Sequence, residues 1–159
     1  MIFSEDMRDL ARLFNRHGVS YAVCGGFAVA HYGFVRMTLD FDLLIDPAPD
    51  NARRVMAALD EFGFGGAGIT PETLALPSAA ITLGVQPNQI DLLTRMSSAD
   101  TAELIGRAVA AKIDGVPVRV VSMDDLIAAK REAGRPKDLV DASELDRLRR
   151  AVPPAPDHG

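Results

Sequence analysis

The chain has one cysteine, Cys24, in 159 residues. A single thiol cannot build an intramolecular disulfide framework, and nothing in the sequence points to an oxidising compartment. Histidine is scarce as well: His17, His31 and His158 stand at no metal-ligand spacing from one another. No apolar run approaches the roughly 18 residues of a membrane span. The opening Met-Ile-Phe-Ser-Glu-Asp lacks the basic and apolar regions of a signal peptide. A basic excess is missing too. The formal net charge is -5, which argues against a broad non-specific nucleic-acid footprint and leaves room only for a local basic patch. There is no Walker-type loop, nucleophile elbow or Ser-His-Asp arrangement. The expectation is a cytoplasmic protein without a membrane segment, of ordinary globular composition, with 48% hydrophobic and 25% charged residues.

The most informative stretch that is present runs from residue 22 to 46. An apolar run ends in Gly25-Gly26, and a second apolar run carries Asp40 and Asp42. Aspartate is depleted in strands, and a buried ionised carboxylate is costly without a partner. At i and i+2 of a strand, the two carboxylates share one face. Something cationic should sit against them, and a divalent metal carrying a nucleotide fits.

Hydrophobic spacing organises the rest. It predicts a helix over 5–17, a buried strand over 21–24, a Gly-Gly turn, a short helix from Phe27 to His31 or Tyr32, and a strand over 39–45. A helix capped by Asp50 runs to about Phe62, and 63–77 reads as a loop with one helical turn. Residues 79–85 and 89–93 form a hairpin. Thr101–Ala111 reads as a helix, 116–121 as a strand, and 124–133 as a helix capped by Ser122 and ended by Gly134. A last helix starts at Pro136 and runs to about Arg150. Together these make one α/β or α+β domain over 1–150, with a mixed sheet and a helical C-terminal end at about 122–150. Residues 151–159 read as a Pro-rich disordered tail.

A third acid, Asp91, stands alone in the apolar run Gln-Ile-Asp-Leu-Leu. Three carboxylates converging on one sheet face would offer hard oxygen ligands to Mg²⁺ or Mn²⁺. Each taken singly reads equally as a solvated or Arg-paired strand-end residue. The Gly pair would let backbone N–H groups approach a phosphate, or it reflects only tight packing. Arg36 can pair with a triphosphate, with one of the acids, or with nothing, and Thr38 reads as a strand-start residue. Lys130 can snorkel to solvent or reach a nucleotide. Asp138 and Asp141, three residues apart on one helix face, read by themselves as part of a charged, solvated helix. Asp46 before Pro47 reads as turn chemistry, His31 as a helix-end residue and Cys24 as a small buried strand residue.

Cys24-Gly25-Gly26, Asp40-Phe41-Asp42 and Asp91 resemble the acid core of the nucleotidyltransferase superfamily, which has a DNA polymerase β-like fold. Gly-Gly-x-Ala, Arg-x-Thr-x-Asp-x-Asp and the tail Lys-x-x-Ala-Gly-Arg-x-Lys-Asp-x-x-Asp, from Lys130 to Asp141, resemble small relatives of the bacterial abortive-infection (AbiEii-type) nucleotidyltransferase toxins. The resemblance covers about residues 20–148. It implies a nucleotidyltransferase-like mixed sheet flanked by helices. It also implies Mg²⁺- or Mn²⁺-dependent transfer of an NMP from an NTP to a hydroxyl on RNA (tRNA included), protein or a small molecule, and a cognate antitoxin as a further partner. On this resemblance Asp40, Asp42 and Asp91 would be catalytic and bind metal. Gly25, Gly26, Arg36, Thr38, Lys130, Asp138 and Asp141 would form the nucleotide site. The chain differs from the larger toxins in lacking an extensive second domain, and from minimal antitoxin-type enzymes in lacking Gly-Ser-x-x-x-x-Gly. A catalytically silent nucleotide-binding or interaction protein on the same fold is the alternative. A three-acid phosphohydrolase or nuclease is a weaker one.

Overall fold

The structure is a computed structural model that describes residues 3–65 and 68–151. Ser4 opens α1 (Glu5–Arg16), its hydroxyl accepting the Met7 N–H at 3.2 Å. Met7, Leu10, Ala11 and Phe14 form its buried stripe. β1 (Tyr21–Cys24) is buried throughout and passes directly into α2 (Gly25–His31). A segment without regular structure, 34–39, leads into β2 (Asp40–Ile45). α3 (Pro49–Phe62) follows, then the single turn α4 (Pro71–Leu74) expected in the Gly- and Pro-rich stretch. β3 (Ala80–Leu83) and β4 (Gln89–Leu93) form the expected hairpin. After α5 (Thr101–Gly106) come β5 (Val109–Ile113) and β6 (Val116–Val120), and the helices α6 (Met123–Ala133) and α7 (Pro136–Ala151) complete the fold. Residues 152–159 of the expected tail lie outside the described residues.

The six strands form one mixed sheet in the order β3-β4-β2-β1-β6-β5. β1 runs antiparallel to β2, while β2–β4 and β1–β6 are parallel. This is the expected mixed sheet flanked by helices, with α6 and α7 as its helical end. Phe41, between the two aspartates, points into the core on the opposite face, packing edge-on against Phe3 and Phe27 at ring separations of 5.0 and 5.2 Å.

Two expectations fail. Thr101–Ala111 is not one helix: α5 stops at Gly106, and the chain re-enters the sheet as β5, paired antiparallel to β6. Asp114 and Gly115, at φ +50° and +80°, make the tight connection that the Asp-Gly pair favours between strands. Asp50 does not cap α3. Ala48 holds that position and Pro49 starts the helix, while the Asp46 carboxylate accepts the Ala48 N–H at 2.9 Å in the turn expected of it. α6 is capped as anticipated, by the Ser122 hydroxyl on the Asp125 N–H, and ends at Gly134 in the left-handed conformation.

Candidate active site

The sheet register brings the acids together. Parallel pairing sets Asp42 of β2 directly beside Asp91 of β4, and Asp40 lies two residues earlier on the same face. Burial and the neighbouring Asp91 and Asp40 carboxylates push the Asp42 carboxyl up to about 7, against a weaker opposing pull from Lys130. The outer two acids are held by neutral donors from the β3–β4 hairpin. Gln86 donates to Asp40 at 3.1 Å, and Thr82 and Gln89 donate to Asp91 at 2.8 and 3.1 Å.

The glycine pair sits against these acids for a steric reason. Cys24 pairs with Asp42 in the antiparallel register, so Gly25 arrives beside the Asp42 side chain. A Cβ at Gly25 would lie 2.0 Å from Asp42 Oδ2, and Gly25 has φ +65°. A Cβ at Gly26 would lie 2.7 Å from Thr38 Oγ1, which is buried without a hydrogen-bond partner. The room that both glycines leave is thus taken by protein side chains. Thr38 packs on α2 two residues before β2 begins. Cys24 is buried as expected, and burial drives its thiol well above the ordinary range.

Across the cleft stand the cations. Lys130 of α6 lies 3.1 Å from Asp141 and 3.5 Å from Asp138. Arg36 grips Asp141, with Nη2 donating to Oδ2 at 2.8 Å and Nη1 facing Oδ1 at 2.8 Å as an ion pair outside hydrogen-bond alignment. Arg135 donates to Asp138 at 2.6 Å. Burial works to raise the Asp138 carboxyl, but Arg135 and Lys130 outweigh it and hold it below its ordinary value. Asp138 and Asp141 are 1% and 0% exposed, so this part of α7 is not the solvated charged helix that its sequence suggests. Arg36 takes an acid as its partner, but one on α7 rather than on β2.

Gly25, Gly26, Arg36, Thr38, Asp40, Asp42 and Lys130 line a polar cleft of about 330 Å³, joined by Met37, Leu39, Arg135 and Lys137. A second lobe of about 260 Å³ shares Gly25, Asp42, Lys130 and Arg135 and adds Cys24, Leu93, Arg95, Met96, Leu126, Ala129, Ala133 and Asp138. Of the expected site residues, Asp91 and Asp141 line neither lobe, while Asp138 lines the second. Asp91 sits behind Asp42, and Asp141 sits beneath the cations. Gln86, Gln89, Arg95 and Arg135 were not expected at the site. Gln86 and Gln89 flank the hairpin turn, where nothing in the sequence marks them.

Among the described residues, no three His, Cys, Asp or Glu side chains form a ready-made cage for an ion. The donor set nonetheless suits a hard divalent cation: oxygen ligands only, crowded enough to lift the Asp42 carboxyl, and restrained by neutral amides and a hydroxyl. No helix among the described residues is long and apolar enough to cross a membrane.

Comparison with known proteins bears on the family and the fold. The family profile described as "Nucleotidyl transferase of unknown function (DUF2204)" matches residues 3–155. The solution structure of the antibiotic-resistance factor ANT(2'')-Ia is 16% identical, covers 90% of this chain and 80% of its own, and superposes with a TM-score of 0.56. The crystal structure of ANT(2'')-Ia in complex with adenylyl-2''-tobramycin is 15% identical over 91% and 93% of the two chains, at a TM-score of 0.51. An antigenic nucleotidyltransferase-like protein from Paracoccidioides brasiliensis is 19% identical over 96% and 80%, at 0.50. At these identities the likeness is one of fold. No curated protein sequence matches the chain.

Proposed function

The chain belongs to the DUF2204 nucleotidyl transferase family, and we propose that its cleft moves an NMP from an NTP to an acceptor hydroxyl. One observation carries this reading: Asp40 and Asp42 face Lys130 and Arg36 across one cleft, with Asp91 abreast of Asp42 on the parallel neighbouring strand. Asp40, Asp42 and Asp91 are the residues that would hold Mg²⁺ or Mn²⁺, which when bound would offset their charge and polarise the transferring phosphoryl group. The polar lobe suits the triphosphate, with Lys130 and Arg36 against its phosphates and the start of α2 beside them. The second lobe, partly apolar and joined to the first at Asp42, suits the acceptor. The acceptor oxygen would bond to the α-phosphorus as the bond to the β-phosphate oxygen breaks, releasing pyrophosphate. The hydroxyl proton would pass to a carboxylate, with Asp91 the candidate.

The Lys130-to-Asp141 segment supports placement near the abortive-infection toxins, because its charged residues form one connected cluster at the cleft. On that reading the acceptor is RNA, tRNA included, or protein, and an antitoxin would be the partner. ANT(2'')-Ia, seen with adenylyl-2''-tobramycin, makes a small-molecule hydroxyl the competing acceptor. The test is purified protein with each labelled NTP, Mg²⁺ or Mn²⁺, and total RNA, protein or tobramycin in separate arms. Label is expected on one acceptor class, with loss of about 10²- to 10³-fold or more in Asp40→Asn and Asp42→Asn. Transfer that survives both substitutions excludes this mechanism. The Gln86 and Gln89 amides seated on Asp40 and Asp91 favour a second reading, a catalytically silent nucleotide-binding or interaction protein. Calorimetry that finds no Mg²⁺-dependent NTP binding would support an interaction role.

A further inference from the structure

Five charged side chains from three parts of the chain alternate in sign: Arg36, Asp141, Lys130, Asp138 and Arg135. Their closest charged atoms are 2.6 to 3.5 Å apart. Exposure grades across this row. The side chains of Asp141 and Asp138 are 0% and 1% exposed, that of Lys130 is 15%, and those of Arg36 and Arg135 are 33% and 63%. Asp141 therefore lies beneath the cations and lines neither lobe of the cleft, whereas Asp138 belongs to the wall of the second lobe.

We propose that Asp141 is a positioning residue, which touches no substrate and sets Arg36 and Lys130 as a pair against the phosphates of one bound NTP, with Asp138 a second hold on Lys130. The proposal rests on the transferase reading above and adds a division of labour within its nucleotide site. An ammonium has three N–H bonds, and the two carboxylates can engage two of Lys130's, leaving the third for the cleft. Asp141 occupies one edge of the Arg36 guanidinium, leaving the other N–H groups free. Arg36 lies on the irregular segment 34–39, and Asp141 is its only hydrogen-bonded side-chain partner among the described residues. The same carboxylate also fixes Lys130 of α6. Loosening it should disturb both cations together.

Calorimetric titration of Mg²⁺ with each NTP into wild type, Asp141→Asn, Arg36→Gln and the double variant tests this, with circular dichroism to establish folding. Removing such a partner of a ligand-binding side chain typically costs about 10- to 100-fold in affinity. A loss of that size is expected for Asp141→Asn despite its burial. Arg36→Gln should weaken binding in the wild-type background and add little in the Asp141→Asn background, because Arg36 is already unfixed there. A lower melting temperature with an unchanged Kd in Asp141→Asn would make the residue merely structural and overturn the proposal. Full additivity in the double variant would overturn it equally. If Asp141→Asn does not fold, Arg36→Lys serves in its place. It keeps the charge, gives up the two-point hold on Asp141, and is expected to bind NTP more weakly; wild-type affinity in that variant overturns the proposal. A wild-type protein that binds no nucleotide counts instead against the transferase reading beneath it.

Discussion

The two walls of the cleft use the same residue type in opposite ways. On the sheet side, Asp40, Asp42 and Asp91 lie together, with amides and a hydroxyl as their side-chain hydrogen-bond partners among the described residues, and the Asp42 carboxyl rises to about 7. On the helix side, Asp138 and Asp141 are more deeply buried, yet each is bracketed by cations, and Asp138 falls below its ordinary value. Burial alone does not decide the state of a carboxylate; the sign of its neighbours does. One wall is internally satisfied. The other is left short of positive charge, which is the condition for recruiting a cation from solution.

The sharpest way to break this contrast is to remove an acid from each wall and measure stability. Asp141→Ala leaves Lys130 and Arg36 without a shared buried counter-ion and should cost about 3–5 kcal/mol in urea unfolding. Asp42→Asn should do the reverse in the metal-free protein. A carboxyl raised from 3.8 to about 7 binds its proton more tightly in the folded state. Its stabilising contribution is therefore full below the free value and is lost as pH rises through about 7, at up to about 1.4 kcal/mol per pH unit. Thermal melts of wild type should show that loss, and Asp42→Asn should flatten it and melt higher at pH 8. Adding Mg²⁺ to wild type should recover part of the difference. Destabilisation of Asp42→Asn at pH 8 would show that the acids on the sheet are not in conflict.

A smaller effect is expected at the seam between the walls. Gly25→Ala places a methyl where the Asp42 carboxylate lies and forces alanine into the left-handed region, at about 1–3 kcal/mol. A melting temperature equal to wild type would mean that Asp42 moves aside freely. The smallest effect belongs to a solvent-facing pair on the same helix as the buried acids. Arg147→Gln removes the Glu144 contact and should change stability by about 0.5 kcal/mol or less. A larger change would erase the distinction between buried and surface charge on α7.

The sheet-side wall was legible in the sequence because lone aspartates in apolar strands are costly and rare, so Asp40, Asp42 and Asp91 stood out. Their register did not, because parallel pairing of β2 with β4 is set by tertiary packing. The helix-side wall was legible only through the resemblance. Charges at i and i+3 look alike whether the face is solvated or buried, and only the fold brings Arg36 to them. β5 was missed because Val109-Ala-Ala-Lys carries good helix formers next to a true helix. Its strand state comes from pairing with β6 across Asp114-Gly115. That Asp-Gly pair was the available signal.

The bond from Arg36 to Asp141 closes a separation of 105 residues. Chains emerge from the ribosome N-terminus first. The acids and glycines of β1, β2 and β4 are therefore translated well before the helix that fixes the cations opposite them. A nascent chain can pair the acidic strands of one wall while the opposite wall is still incomplete. The cleft closes its charge network only when α7 docks, so the last long helix is the piece on which its assembly waits.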